Sequence, residues 1–234
     1  MAADAPRGLT WLLVVAAFAS LAAEFMDVRP LLYAAKPLAT IAVLLIAARA
    51  APPVSARYRV LVTAGLAASL AGDVFLMLPG DRFIAGLASF FVAHLCYIAA
   101  FAGEKGGLRN PAAAVTIGLC AAVMLALLWP DLGALRIPVS AYVTVIAVMG
   151  WQAFARWGHS PGSERAAIGA LSFLVSDSSL AVNRFRGGFA GSALVVLGTY
   201  WLAQWLIARS VQRPNGRASH GPGHGRADAV AMDV

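Results

Sequence analysis

Ser69-Leu70-Ala71-Gly72-Asp73-Val74-Phe75-Leu76-Met77-Leu78 places a carboxylate near the end of a long apolar segment. An Asp at the centre of a membrane helix costs about 3 kcal/mol on insertion scales, so an intramembrane acid marks a functional site by default. The pattern recurs at Ser176-Asp177-Ser178, inside the stretch 169–184. Two acids in two helices point to one polar site, with the rest of the chain as its scaffold.

Composition agrees. Apolar residues make up 60% of the 234 residues and charged residues 12%, and mean hydropathy is +0.76. A soluble domain is nearer a quarter charged. Apolar runs near 9–27, 31–50, 60–79, 82–101, 111–129, 135–154, 165–184 and 189–208 alternate with polar or Pro/Gly breaks such as Arg29-Pro30, Pro52-Pro53 and Gly187-Gly188. Each is long enough to span as a helix. The expected fold is all-α: a polytopic membrane bundle of eight transmembrane helices over 1–208, followed by a disordered basic cytoplasmic tail at 209–234. The net charge of +7 does not argue for nucleic acid, because the basic residues sit singly in short connections and in the tail. Cys96 and Cys120 fall inside the runs without metal-type spacing and read as small apolar residues.

Lys and Arg counts set the orientation. With the N-terminus inside, twelve lie on the inner side and six on the outer, which favours both termini in the cytoplasm. At 1.5 Å per residue, Asp73 and Asp177 then lie about 20 and 18 Å above the inner ends of their helices. Glu24 and Lys36 fall at about the same level in the outer half of the bilayer. His94, Asn183, Tyr200 and Gln204 are candidates to line the same cavity. Glu24 and Lys36 are also near enough to the surface to snorkel.

Two acids in one low-dielectric cavity do not comfortably both ionise, so one serves as an acid while the other stays a base. Such apparatus suits acid-assisted hydrolysis through an oxocarbenium-like state. Gly86-Leu87-Ala88-Ser89-Phe90 does not match the serine-hydrolase elbow G-x-S-x-G, with Ala at its third position and Phe at its last. There is no H-E-x-x-H, and only His94 and His159 lie outside the tail, too few for a His-rich zinc site. No metal and no cofactor is expected. Residue chemistry alone leaves an intramembrane acid/base hydrolase and a proton-coupled carrier both open.

Three blocks resemble the YhhN/TMEM86 family. They are Gly72-Asp73-Val74-Phe75-Leu76-Met77-Leu78 with 83–97, then Gly169-Ala170-Leu171-Ser172-Phe173-Leu174-Val175-Ser176-Asp177-Ser178, then Asn183-Arg184-Phe185 with Thr199-Tyr200-Trp201-Leu202-Ala203-Gln204. Tyr33 with Lys36-Pro37 fits the family's second helix. The resemblance covers about residues 9–208 and implies a lysoplasmalogenase. Such an enzyme hydrolyses the vinyl ether of a lysophospholipid substrate to a fatty aldehyde and a glycerophospho-ethanolamine or -choline. Asp73 and Asp177 would be the acid/base pair, with Lys36, Tyr33, Glu24, His94, Asn183, Tyr200 and Gln204 around the substrate. The Ala- and Arg-rich composition points to a bacterial inner membrane. Substrate head group and oligomeric state stay open, as do another lipid bond and a non-enzymatic carrier.

Overall fold

A computed structural model describes residues 5–103 and 110–214. The apolar runs form eight helices: α1 Ala5–Phe25, α2 Arg29–Ala48, α3 Ala56–Met77, α4 Phe83–Ala102, α5 Pro111–Leu128, α6 Arg136–Ala155, α7 Ser163–Arg186 and α8 Ser192–Arg209. Two single 3-10 turns, Trp129–Asp131 and Gly133–Leu135, join α5 to α6. The starts follow from local chemistry. The Ser55 hydroxyl accepts from Tyr58 N at 3.1 Å, and Asn110 Oδ1 accepts from Ala113 N at 3.0 Å just before Pro111. Both satisfy amides that a helix start leaves without a partner.

The helices close a ring. α2 packs on α3, α3 on α4, α4 on α6, α6 on α7, α7 on α8, and α8 returns to α2. α1 lies outside the ring against α2 and α8, and α5 lies outside it against α6 and α7. Glycines allow the closest approaches, as small residues do between membrane helices. A Cβ on Gly72 would sit 2.6 Å from the Phe90 ring, and one on Gly65 would overlap the Tyr97 ring.

Alternating passes sort the connections onto two end faces. Loops 26–28, 78–82, 129–135 and 187–191 form one, the Asp81 face; loops 49–55 and 156–162 with residues 210–214 form the other, the Arg213 face. At the first, Arg184 pairs with Asp81 at 2.8 Å and Arg186 with Asp131 at 2.7 Å, placing cations at the negative end of α7.

Two expectations change. Among the described residues, seven helices are long and apolar enough to cross a membrane, which makes this a multi-pass membrane protein, while α8 is not among the seven. Gln204, Tyr200 and the terminal Arg209 all lower its hydropathy. The expected tail also begins later than 209. Ser210 and Val211 are fully buried, and Val54 N donates to Val211 O at 2.8 Å while Arg213 N donates to Pro52 O at 3.0 Å. The remainder of the expected tail, from 215 on, lies outside the described residues.

Candidate active site

Asp73 stands one turn before the end of α3 and is 1% exposed. Lys36 Nζ of α2 lies 3.2 Å from its Oδ1. The other oxygen accepts two hydroxyls, Thr40 at 2.7 Å and Tyr200 at 2.6 Å. Thr40 follows Lys36 by four residues, so both point the same way from α2. The network continues outward: Gln204 Nε2 donates to Tyr200 Oη at 2.9 Å, and Tyr97 Oη donates to Gln204 Oε1 at 3.4 Å. A buried carboxylate is tolerable when paired and hydrogen-bonded in this way.

Asp177 of α7 has different company. The Tyr142 hydroxyl of α6 donates to its Oδ2, and His94 Nε2 of α4 lies 2.9 Å from the Tyr142 oxygen and 3.7 Å from that same Oδ2. Since the tyrosine proton goes to the carboxylate, Nε2–H is the donor to the tyrosine oxygen. His94 Nδ1 is then the acceptor nitrogen, and it is buried without a partner among the described residues.

An aromatic layer separates the two acids. Phe173 packs edge-on to His94 at 4.8 Å and to Tyr200 at 5.7 Å, and Phe90 packs edge-on to Tyr200 at 6.1 Å. Asp177 also lines a chamber of about 700 Å³ between α5 and the ring helices α4, α6 and α7. Tyr142, Phe90, Ile117, Leu174 and Met124 are among its walls, and Asp73 is not. The reason is the ring: α4 and α8 carry α3 on one side while α7 joins α6 and α5 on the other. The single cavity holding both acids therefore resolves into a sealed network around Asp73 and an open one around Asp177.

Of the residues singled out in the sequence, Lys36, Asp73, Tyr200 and Gln204 come together, and His94 joins Asp177. Glu24 and Tyr33 are exposed and join neither network. Asn183 is half-buried near the end of α7, its Oδ1 close to Gly188, and lines neither acid. Sequence reasoning missed Thr40 and Tyr142. Thr40 was legible as the residue one turn from Lys36, whereas Tyr142 had no signal beyond being a lone tyrosine in an apolar run. Among the described residues, no three His, Cys, Asp or Glu side chains gather as metal ligands.

Comparison with known proteins places this chain in a family. Over 159 residues the chain is 38% identical to lysoplasmalogenase TMEM86A of Bos taurus, covering 62% of each protein. Over 183 residues it is 36% identical to a lysoplasmalogenase of Mycobacterium tuberculosis, covering 72% of this chain and 66% of the relative. It is also 29% identical over 178 residues to the membrane protein YhhN of Escherichia coli O157:H7, covering 75% and 85% respectively. The chain thus spans about three-fifths of the length of the bovine relative. No solved structure matches the fold. The YhhN family model matches residues 31–211, most of the chain and all of both acid networks, and the chain belongs to the YhhN family.

Proposed function

We propose that this protein hydrolyses the vinyl ether of lysoplasmalogens, releasing a fatty aldehyde and a glycerophospho-ethanolamine or -choline. The observation that carries the reading is Asp177, held by Tyr142 and His94 in the wall of an apolar chamber. Relatives named lysoplasmalogenase support the choice of bond. In its protonated form Asp177 gives its proton to the alkene carbon remote from the ether oxygen, and an oxocarbenium ion forms at the carbon next to that oxygen. The Asp177 carboxylate then takes a proton from water as the water adds to that carbon, forming a hemiacetal. Collapse of the hemiacetal expels the glycerol oxygen as an alcohol and leaves the aldehyde, so one water is consumed. Tyr142 and His94 orient Asp177.

Asp73 takes a different part from the acid/base partnership that its sequence suggests. Its oxygens are engaged by Lys36, Thr40 and Tyr200, which makes it a positioning residue holding α2, α3 and α8 around the aromatic layer. We assign the Arg213 face to the cytoplasm of a cell membrane on the charge rule. The test is aldehyde release from lysoplasmenyl-ethanolamine and -choline by the purified full chain, with Asp177→Asn as control. Aldehyde from the wild type alone is expected. Folded protein that yields none would move the reading to another lipid bond or to a carrier.

A further inference from the structure

The chamber is not symmetric along its length. Asp177 lies nine residues, about 14 Å, from the α7 end at Arg186 and fourteen residues, about 21 Å, from its start at Ser163. The cavity wall runs from Phe83 and Phe185 near the Asp81 face to Ala113, Phe154 and Asn110 near the Arg213 face. Its short arm opens beside charge: the Arg184 guanidinium lies 5.2 Å from the centre of the Phe83 ring. Among the described residues, its long arm ends without charge. Asn110 spends its Oδ1 on Ala113 N and its carbonyl on Trp151 Nε1, and Phe154 and Ala113 complete that end. At this end a Cβ on Gly150 would meet Leu174 at 2.8 Å and Ile117 at 3.7 Å, so α6 packs closely against two residues that line the chamber. At about 700 Å³ the space is that of one small-molecule ligand.

We infer that the chamber binds a single-chain phospholipid in one direction, with its phosphate at Arg184 and its aliphatic chain running from Asp177 along α5 to end against Ala113 and Phe154. The inference rests on the lipid reading of this site and adds the polarity of the bound chain and the residues that measure its length. Arg184 fits the anion because a guanidinium offers donors in a fork, and the Asp81 contact uses one of them. The apolar walls of the long arm fit the chain, because a charged head buried there would find no partner among the described lining residues.

A 16-carbon lysophosphatidylcholine bearing a diazirine at the chain terminus tests this on the wild-type full chain. After irradiation, adducts are expected at 110–117 and 150–154, and excess unmodified lysophosphatidylcholine is expected to suppress them. Adducts at Phe83, Phe185 or Val139 would reverse the direction and overturn the proposal. Uncompeted adducts confined to Val115 and Leu119, which are 69% and 63% exposed, would mean bulk lipid contact and would also overturn it. Ala113→Phe, with Thr116→Phe as a second variant should the first fail to fold, is expected to weaken binding of an 18-carbon lysophosphatidylcholine about tenfold or more. A 10-carbon chain should bind either variant as it binds the wild type. Equal weakening at both lengths would remove the measuring role. Crosslinking reads occupancy whether or not a vinyl ether is cleaved. Polar crosslinking without aldehyde release would leave this inference standing and sink the reaction, and aldehyde release without polarity would do the reverse.

Discussion

Lys36 Nζ lies 3.2 Å from Asp73 Oδ1 inside the ring of helices, with the lysine side chain 14% exposed and the aspartate 1%. Two charges taken out of water depend on each other. Removing one leaves the other buried and uncompensated, at a cost of about 3–5 kcal/mol, whereas replacing both with apolar residues of similar size is often close to neutral. Asp73→Leu and Lys36→Met should each lower the thermal midpoint strongly in detergent, and the double variant should recover most of the loss. Additive losses in the double variant would show that the two side chains do not act as a pair.

The Asp177 network makes the opposite expectation. Its carboxyl is 15% exposed at the chamber wall and no lysine or arginine is paired with it, so Asp177→Asn removes a reactive group without stranding a charge. Turnover should fall by about 10²–10⁴ while the thermal midpoint stays within a few degrees of the wild type. Tyr142→Phe removes the hydroxyl that orients the carboxyl. It should lower kcat while leaving KM nearly unchanged, because Tyr142 acts on Asp177 and not on the lipid head. A Tyr142→Phe protein with wild-type kcat would detach the tyrosine from the mechanism.

Close packing between α3 and α4 is a third point of test. Gly65→Leu would drive a side chain into Tyr97, which is fully buried and bonded to Gln204. Overpacking costs about 1–3 kcal/mol and occasionally more, and here it would also pull on the Asp73 network through Gln204 and Tyr200. A Cβ added to Gly118 on α5 would meet nothing within 4 Å, so Gly118→Ala is the matched control. Thermal unfolding should separate the two variants by several degrees. Equal midpoints would mean that α3 and α4 do not approach as closely as the Gly65–Tyr97 contact requires.

The helices, their breaks and the two buried acids could be read from sequence because a bilayer makes hydropathy nearly decisive and makes ionisable residues conspicuous. What could not be read was rotation. Run boundaries and rise per residue give depth, and by depth alone Glu24 and Lys36 are equivalent. The direction in which a side chain leaves its helix separates them, and Lys36 turns inward to Asp73 while Glu24 is exposed. Depth alone likewise puts Asp73 and Asp177 in one site. The partition between them is built from Phe90 and Phe173, ordinary residues in apolar runs that carry no signal of their own. α8 carries Tyr200 and Gln204, polar residues that complete the Asp73 network, and it is not among the helices apolar enough to cross a membrane.

Charge on the two end faces makes the last prediction. Among the described residues, the Arg213 face carries Arg7, Arg49, Arg57, Arg59, Arg156, Arg165, Arg209 and Arg213 against the single acid Glu164. The Asp81 face carries Arg29, Arg82, Arg136, Arg184 and Arg186, and three of these are ion-paired to Asp27, Asp81 and Asp131. Orientation in a membrane follows the count of Lys and Arg in short loops, with acids contributing little. The pairing is therefore secondary, and the count of eight against five is the basis on which we propose the Arg213 face as the cytoplasmic one. In a background with Cys96 and Cys120 replaced by alanine, Phe189→Cys should react with a membrane-impermeant maleimide in intact cells. Pro161→Cys should react only after permeabilisation. Both positions lie in exposed loops, so failure to label reports the membrane barrier and not burial. The reverse pattern would invert the protein and place Arg184, with the short arm of the chamber, on the cytoplasmic side.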